Sequence, residues 1–125
     1  MTAANPYMKY KAAAAATMTP VELLLALYDK CILECRKAVD FIENENYIRA
    51  NASIKRVEDI VDELRFCLDM KYEMSQNLKE LYIYYKNVLI KANRRKDTAL
   101  IESLIPHFTE LREAFADAAQ VAGWC

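Results

Sequence analysis

Four carboxylates crowd one short stretch of this chain, Glu58, Asp59, Asp62 and Glu63, and paired carboxylates can do acid–base work. Lys55, Arg56 and Arg65 lie within helical reach of them, so the pattern reads first as a solvated, salt-bridged helix face. Cys31 and Cys35 are four apart and could begin a zinc site, but the other cysteines, Cys67 and Cys125, are distant, and packed core thiols are the simpler reading. The one histidine, His107, has Leu104 three residues before it, which rules out the Glu-x-x-His motif of di-iron bundles. Lys91, Arg94, Arg95 and Lys96 could touch phosphate, yet no aromatic side chains interleave them, and a helix carboxyl end favours cations in any case. A nucleophile elbow is missing, and a single glycine, Gly123, could support neither a phosphate-cradling loop nor a dinucleotide fingerprint. The expectation is a binding protein, with no catalytic residue, metal or cofactor and no nucleic-acid partner.

The elements that must position any binding residues are helices. Of the 125 residues, 54% are hydrophobic and 28% charged, enough for one packed core that stays in solution. One glycine and three prolines leave too few turn residues for a many-stranded fold. A net charge of −1 provides no global field towards nucleic acid or anionic lipid. Lys9 and Lys11 before Ala12–Ala16 faintly imitate a signal peptide, but Thr17, Thr19, Pro20 and Glu22 interrupt the apolar stretch. Without a membrane-spanning run or the cysteine spacing of a secreted disulfide scaffold, a reducing cytoplasm is the expected location.

Residues 1–18 read as an arm, mobile or docked, whose alanine run has no apolar stripe; residues 19–125 read as the domain. Thr19-Pro20-Val21-Glu22 is a helix start, with a Thr cap, proline in the first turn and Glu three residues on. The first helix is predicted to reach about Asn44. Ala50, Ile54, Val57, Val61, Leu64 and Leu68 then mark a second, and Leu78, Leu81, Tyr82, Tyr85, Val88, Leu89 and Ala92 a third, for which Ser75 is a candidate cap. Asp97 should cap a fourth, striped by Ile101, Leu104, Phe108, Leu111, Phe115, Ala118 and Ala122, with a kink expected near Glu102 because of Pro106. Four such helices on short connections predict an all-α, antiparallel up-down four-helix bundle with an N-terminal arm. Leu23, Leu25, Ile32 and Val39 on the first helix, and Ile83, Tyr84 and Ile90 on the third, exceed what one seam needs, and surplus apolar faces invite a partner. Tyr7 and Tyr10, amphipathic aromatics in a segment with no stripe, suit either self-docking or partner binding.

The order and spacing of several short pieces resemble the flagellar secretion chaperone family, FliS. They are Asn5-Pro6-Tyr7-x-x-Tyr10, Thr19-Pro20-x-x-Leu23, Leu27-Tyr28-Asp29, Leu68-Asp69, Asn77-Leu78-x-x-Leu81-Tyr82-x-Tyr84 and Ala92-Asn93-x-x-x-Asp97. Where some members carry a glycine pair before the third helix, this chain reads Lys71-Tyr72-Glu73-Met74. The resemblance implies a cytoplasmic helical bundle that binds the disordered carboxyl-terminal segment of flagellin, prevents its premature polymerisation and delivers it to the type III export apparatus. It carries Tyr7 and Tyr10 over as partner-binding residues, and makes the export gate and an anti-sigma factor candidate further partners. Leu23, Leu25, Ile32, Ile83 and Ile90 are assigned to the binding grooves from surplus apolar surface alone. The alternative is a generic dimerising adaptor, in which the surplus faces pair with a second copy; a homodimer of the free protein is compatible with either reading.

Overall fold

Thr19 is extended (φ −68°, ψ 159°), and its hydroxyl accepts from the Glu22 N–H at 3.1 Å, ahead of Pro20 in the first turn. This is the predicted cap, and it opens helix α1, Pro20–Glu43. The computed structural model of the chain describes residues 18–122, so the expected arm, apart from Met18, lies outside the described residues. Three further helices follow: α2, Tyr47–Phe66; α3, Glu73–Arg95; and α4, Thr98–Ala122.

With no glycine available at the connections, other residues take the left-handed positions. Glu45 (φ 58°) follows the end of α1, where its N–H donates to Ile42 O and the Asn46 N–H to Phe41 O, the paired bonds that satisfy orphan carbonyls at a helix end. Asn46 then caps α2 by accepting from the Arg49 N–H at 3.3 Å, so three residues both end one helix and begin the next. Lys96 (φ 51°) does the same after α3, its ammonium donating to the Asn93 carbonyl at 2.8 Å, and Asp97 caps α4 through the Leu100 N–H at 3.3 Å as expected. The third helix departs from expectation. It begins at Glu73, and Ser75 is inside its first turn, donating its hydroxyl to the Asp69 carbonyl at 2.6 Å rather than capping. Pro106 does not interrupt α4: both it and Glu102, whose carbonyl loses its partner, are exposed to water that can satisfy the orphan acceptor.

Helix α1 packs extensively on both α2 and α4, α2 packs on α3, and α3 meets α4 across the thinnest seam, so the four helices form a ring in chain order. Asn51 pairs with Asn93 at 2.7 Å, and further along the same seam Asp62 pairs with Lys86, a register only antiparallel helices produce. The buried interior gathers Cys31, Cys35 and Ala38 of α1, Ile54, Val57, Val61 and Leu64 of α2, Leu78, Leu89 and Ala92 of α3, and Ile101, Leu104 and Phe108 of α4. Three tyrosines lie fully inside. Tyr28 stacks on Phe115 at 5.8 Å, Tyr85 meets Phe108 edge-on at 5.2 Å, and the hydroxyls of Tyr28 and Tyr82 satisfy each other across the diagonal of the bundle. Burial raises the pKa of all three, that of Tyr85 to about 12, so these phenols stay neutral.

Candidate partner-binding surface

Of the residues that could have done chemistry, Cys31, Cys35 and Glu58 are buried among the helices. Burial holds both core thiols protonated, Cys35 up to about 12, and among the described residues no group of three metal-ligating side chains comes together. His107 is exposed, with its Nδ1 3.5 Å from the Tyr85 hydroxyl and its ring against Tyr84 and Tyr85 at 6.4 and 5.5 Å. Of the acidic cluster, Glu58 is buried between α2 and α3 while Asp59 and Glu63 face solvent and Asp62 pairs with Lys86. No described helix is long and apolar enough to cross a membrane.

What remains is apolar surface, and the helical register decides where it points. Leu25, Ile32 and Val39 are spaced seven apart on the flank of α1 that meets α4. Leu25 and Ile32 are half-buried there, whereas Val39, expected to be surplus surface, is buried in the core because the flank closes over it. That flank is identified by the Asp29–Arg112 ion pair at 2.7 Å and by a shallow groove of about 330 Å³ lined by Arg36, Val39, Asp40, Glu102 and Ile105. Ile83 and Ile90, both exposed, bracket Lys86 on α3 and so share the flank that meets Asp62 of α2. Leu23 is on neither. It shares the line of Leu27, Lys30 and Glu34, which turns towards Arg56 on α2. Leu25 and Ile32 are therefore brought together, as are Ile83 and Ile90, but in a ring ordered α1 to α4 the α1–α4 and α2–α3 grooves are on opposite sides of the bundle. Tyr7 and Tyr10 lie outside the described residues.

Two features escaped the sequence reading. Ile48 and Phe66 on α2 are 86% and 75% exposed, the barest large apolar side chains described. Eighteen residues make five helical turns, so the two are on one line, well off the core stripe of Ala50, Ile54, Val57 and Val61; that offset was a signal available in the sequence. The other is Glu34, buried within the core stripe of α1 and held by Lys30 at 3.1 Å, Lys37 at 3.6 Å and Arg56 at 3.4 Å. Its spacing from Cys31 and Ala38 already placed it on the inner face.

The sequence profile of the family described as flagellar protein FliS matches residues 3–122. The chain belongs to the FliS family. The FliS match takes in every candidate binding residue named above, Tyr7 and Tyr10 included, and stops short of Gly123, Trp124 and Cys125. Similarity to individual FliS proteins agrees with it. The flagellar secretion chaperone FliS of Bacillus subtilis (strain 168) is 33% identical over 120 residues, 96% of this chain and 90% of the relative. That of Escherichia coli (strain K12) is 27% identical over 100 residues, 78% of this chain and 74% of the relative. Membership of FliS makes the chain a chaperone of flagellar secretion.

Proposed function

We propose that this chaperone binds the disordered carboxyl-terminal segment of a flagellin in the cytoplasm, keeps it from polymerising prematurely and delivers it to the type III export apparatus. The observation that carries the reading, beyond family membership, is the placement of the apolar stripes. Leu25 and Ile32 open on one side of the bundle, and Ile83 and Ile90 on the other, so a single docked helix cannot fill both. A long segment that is unfolded when free can wrap around them, folding into short helices that lay apolar side chains into each groove. Wrapping also supplies the area needed to offset ordering costs of roughly 2 to 5 kcal/mol or more. Leu23 adds apolar surface at the start of α1, and residues 1–18 act as an arm, separate from the 19–125 domain, that brings Tyr7 and Tyr10 to the partner. The export gate and an anti-sigma factor are further partners under this reading. It involves no catalysis, cofactor, metal or nucleic acid.

Calorimetry and circular dichroism with a synthetic flagellin tail peptide test it. Micromolar binding with a heat-capacity decrease and gained helicity is expected, weakened by Leu25→Asp or Ile83→Asp more than by charge reversal at Glu58 or Lys96. Absence of binding at micromolar concentration, or silence of both apolar substitutions, would remove the groove mechanism.

A further inference from the structure

Within the Leu27-Tyr28-Asp29 piece, Tyr28 is a fully buried core residue and Leu27 packs against the core, whereas Asp29 is exposed and meets no need of the interior. Its carboxylate reaches across to α4, where the Arg112 guanidinium donates Nε–H to one oxygen at 2.7 Å and Nη2–H to the other at 3.4 Å. Two such parallel bonds form a fork that fixes the orientation of both groups.

Helical spacing sets the place of the fork. Asp29 follows Leu25 by four residues and precedes Ile32 by three, and Arg112 follows Ile105 by seven. The pair therefore spans the α1–α4 groove between Leu25 and Ile32. Beyond Ile32 lies the open stretch of about 330 Å³ lined by Arg36, Val39, Asp40, Glu102 and Ile105, and Leu25 lies on the other side of the fork. Leu25 and Ile32 are about 10 Å apart along α1, so a helix that touches both covers the position between them and meets the fork. Both groups reach water, Arg112 being 35% and Asp29 55% exposed, and an exposed ion pair is easily parted.

We propose that the Asp29–Arg112 pair is a gate on the α1–α4 groove. Closed, it keeps an apolar helix from contacting Leu25 and Ile32 together, and a partner docks along the whole groove only after the two side chains part. The inference rests on the reading that this groove takes a segment of flagellin. Affinity for a partner is reduced by the fraction of chains whose gate is open. An exposed pair of typical strength favours the closed form about two- to fivefold, so the gate weakens docking by a comparable factor, and salt releases it. A plain staple between α1 and α4 has the opposite sign, since its loss would loosen the groove and weaken docking.

Calorimetry of the full chain with a synthetic flagellin tail peptide tests the gate, with helicity checked for every variant. Asp29→Asn and Arg112→Gln should each bind about two- to fivefold tighter than the wild type at about 0.05 M salt. Asp29→Arg combined with Arg112→Asp restores the pair with its charges exchanged, and should bind as the wild type does. At about 1 M salt the four proteins should converge. Nile red, an uncharged apolar dye, gives a readout that needs no partner: its fluorescence should rise in the two single variants, return to the wild-type level in the exchanged pair, and stay low once Leu25→Asp is added. Single variants that bind no tighter than the wild type, or an exchanged pair that behaves like them, would overturn the gate. If none of the proteins binds the peptide, the flagellin reading fails and the dye alone decides the gate, equal fluorescence in all four overturning it.

Discussion

Helix α2 buries a carboxylate near each of its two seams, and the two behave in opposite ways. Glu34, reaching in from α1, is 1% exposed, and Glu58, between α2 and α3, is 5% exposed, so burial alone does not distinguish them. Desolvation raises both. At Glu34 it is overcome by Lys30, through both its contact and its charge, by the neighbouring Ser53 hydroxyl and by the charge of Lys37, and the carboxyl sits below its ordinary range. At Glu58 desolvation prevails: Lys55, 3.8 Å away, and Lys86 pull the pKa down, Asp59 and Asp62 push it up, and the carboxyl sits above its ordinary range. The lesson is that a buried acid is anchored by how many cations converge on it and how few acids sit nearby, not by depth.

The largest test of the contrast is removal of Glu34. Glu34→Ala leaves three cations without their common partner and the Ser53 hydroxyl buried, and should cost about 2 kcal/mol, read as a melting temperature several degrees lower. Lys86→Met comes next, because it deprives Asp62 of its ion pair and Glu58 of an attracting charge; about 1 kcal/mol of loss is expected by urea titration at neutral pH. Glu58→Gln should do the reverse and stabilise by about 0.5 kcal/mol at pH 7, since it removes a charge whose burial is poorly compensated. Arg56→Gln should be smallest, under about 0.5 kcal/mol, because its side chain is largely in water.

Acidity separates the two carboxyls by sign. Glu34, lowered in the fold, contributes stability that is present above the unfolded carboxyl range and lost as pH falls through its folded value. The gap between wild type and Glu34→Gln should therefore narrow from about pH 6 to about pH 3. Glu58, raised in the fold, contributes stability that is present below the unfolded value and lost as pH rises through its folded one. The advantage of Glu58→Gln should accordingly be absent in acid and grow as pH rises towards neutrality. Denaturant midpoints across that range check both, and parallel curves for the two variants would erase the distinction between the seams.

Most of the fold was legible in the residue order. The 3.6-residue stripes of Ile54, Val57, Val61 and Leu64, and of Leu78, Tyr82, Tyr85 and Leu89, name their own inner faces, and the Thr19 and Asp97 caps are local chemistry needing only neighbours in sequence. The start of α3 was less legible, because the Ser75 hydroxyl answers to the Asp69 carbonyl across a connection whose shape only the packed helices set. Recognition of a flagellar chaperone likewise needed only the order of motifs along the chain, and the FliS match over residues 3–122 rests on that same order.

By itself, then, the sequence determined four amphipathic helices, the Thr19 and Asp97 caps, the family, and most of the side chains that exceed the needs of one core. Tertiary structure alone decided which groove each surplus residue faces. Leu25 and Ile32 open towards α4, and Ile83 and Ile90 towards α2, and no periodicity within one helix can report the identity of the helix alongside it. The fates of Glu34 and Glu58 were decided the same way, since the charges around them include residues more than twenty positions away, Arg56 for Glu34 and Lys86 for Glu58, brought near only when the bundle closes. Helical periodicity is a short-range property of the chain, whereas burial and electrostatic environment belong to the assembled set of helices.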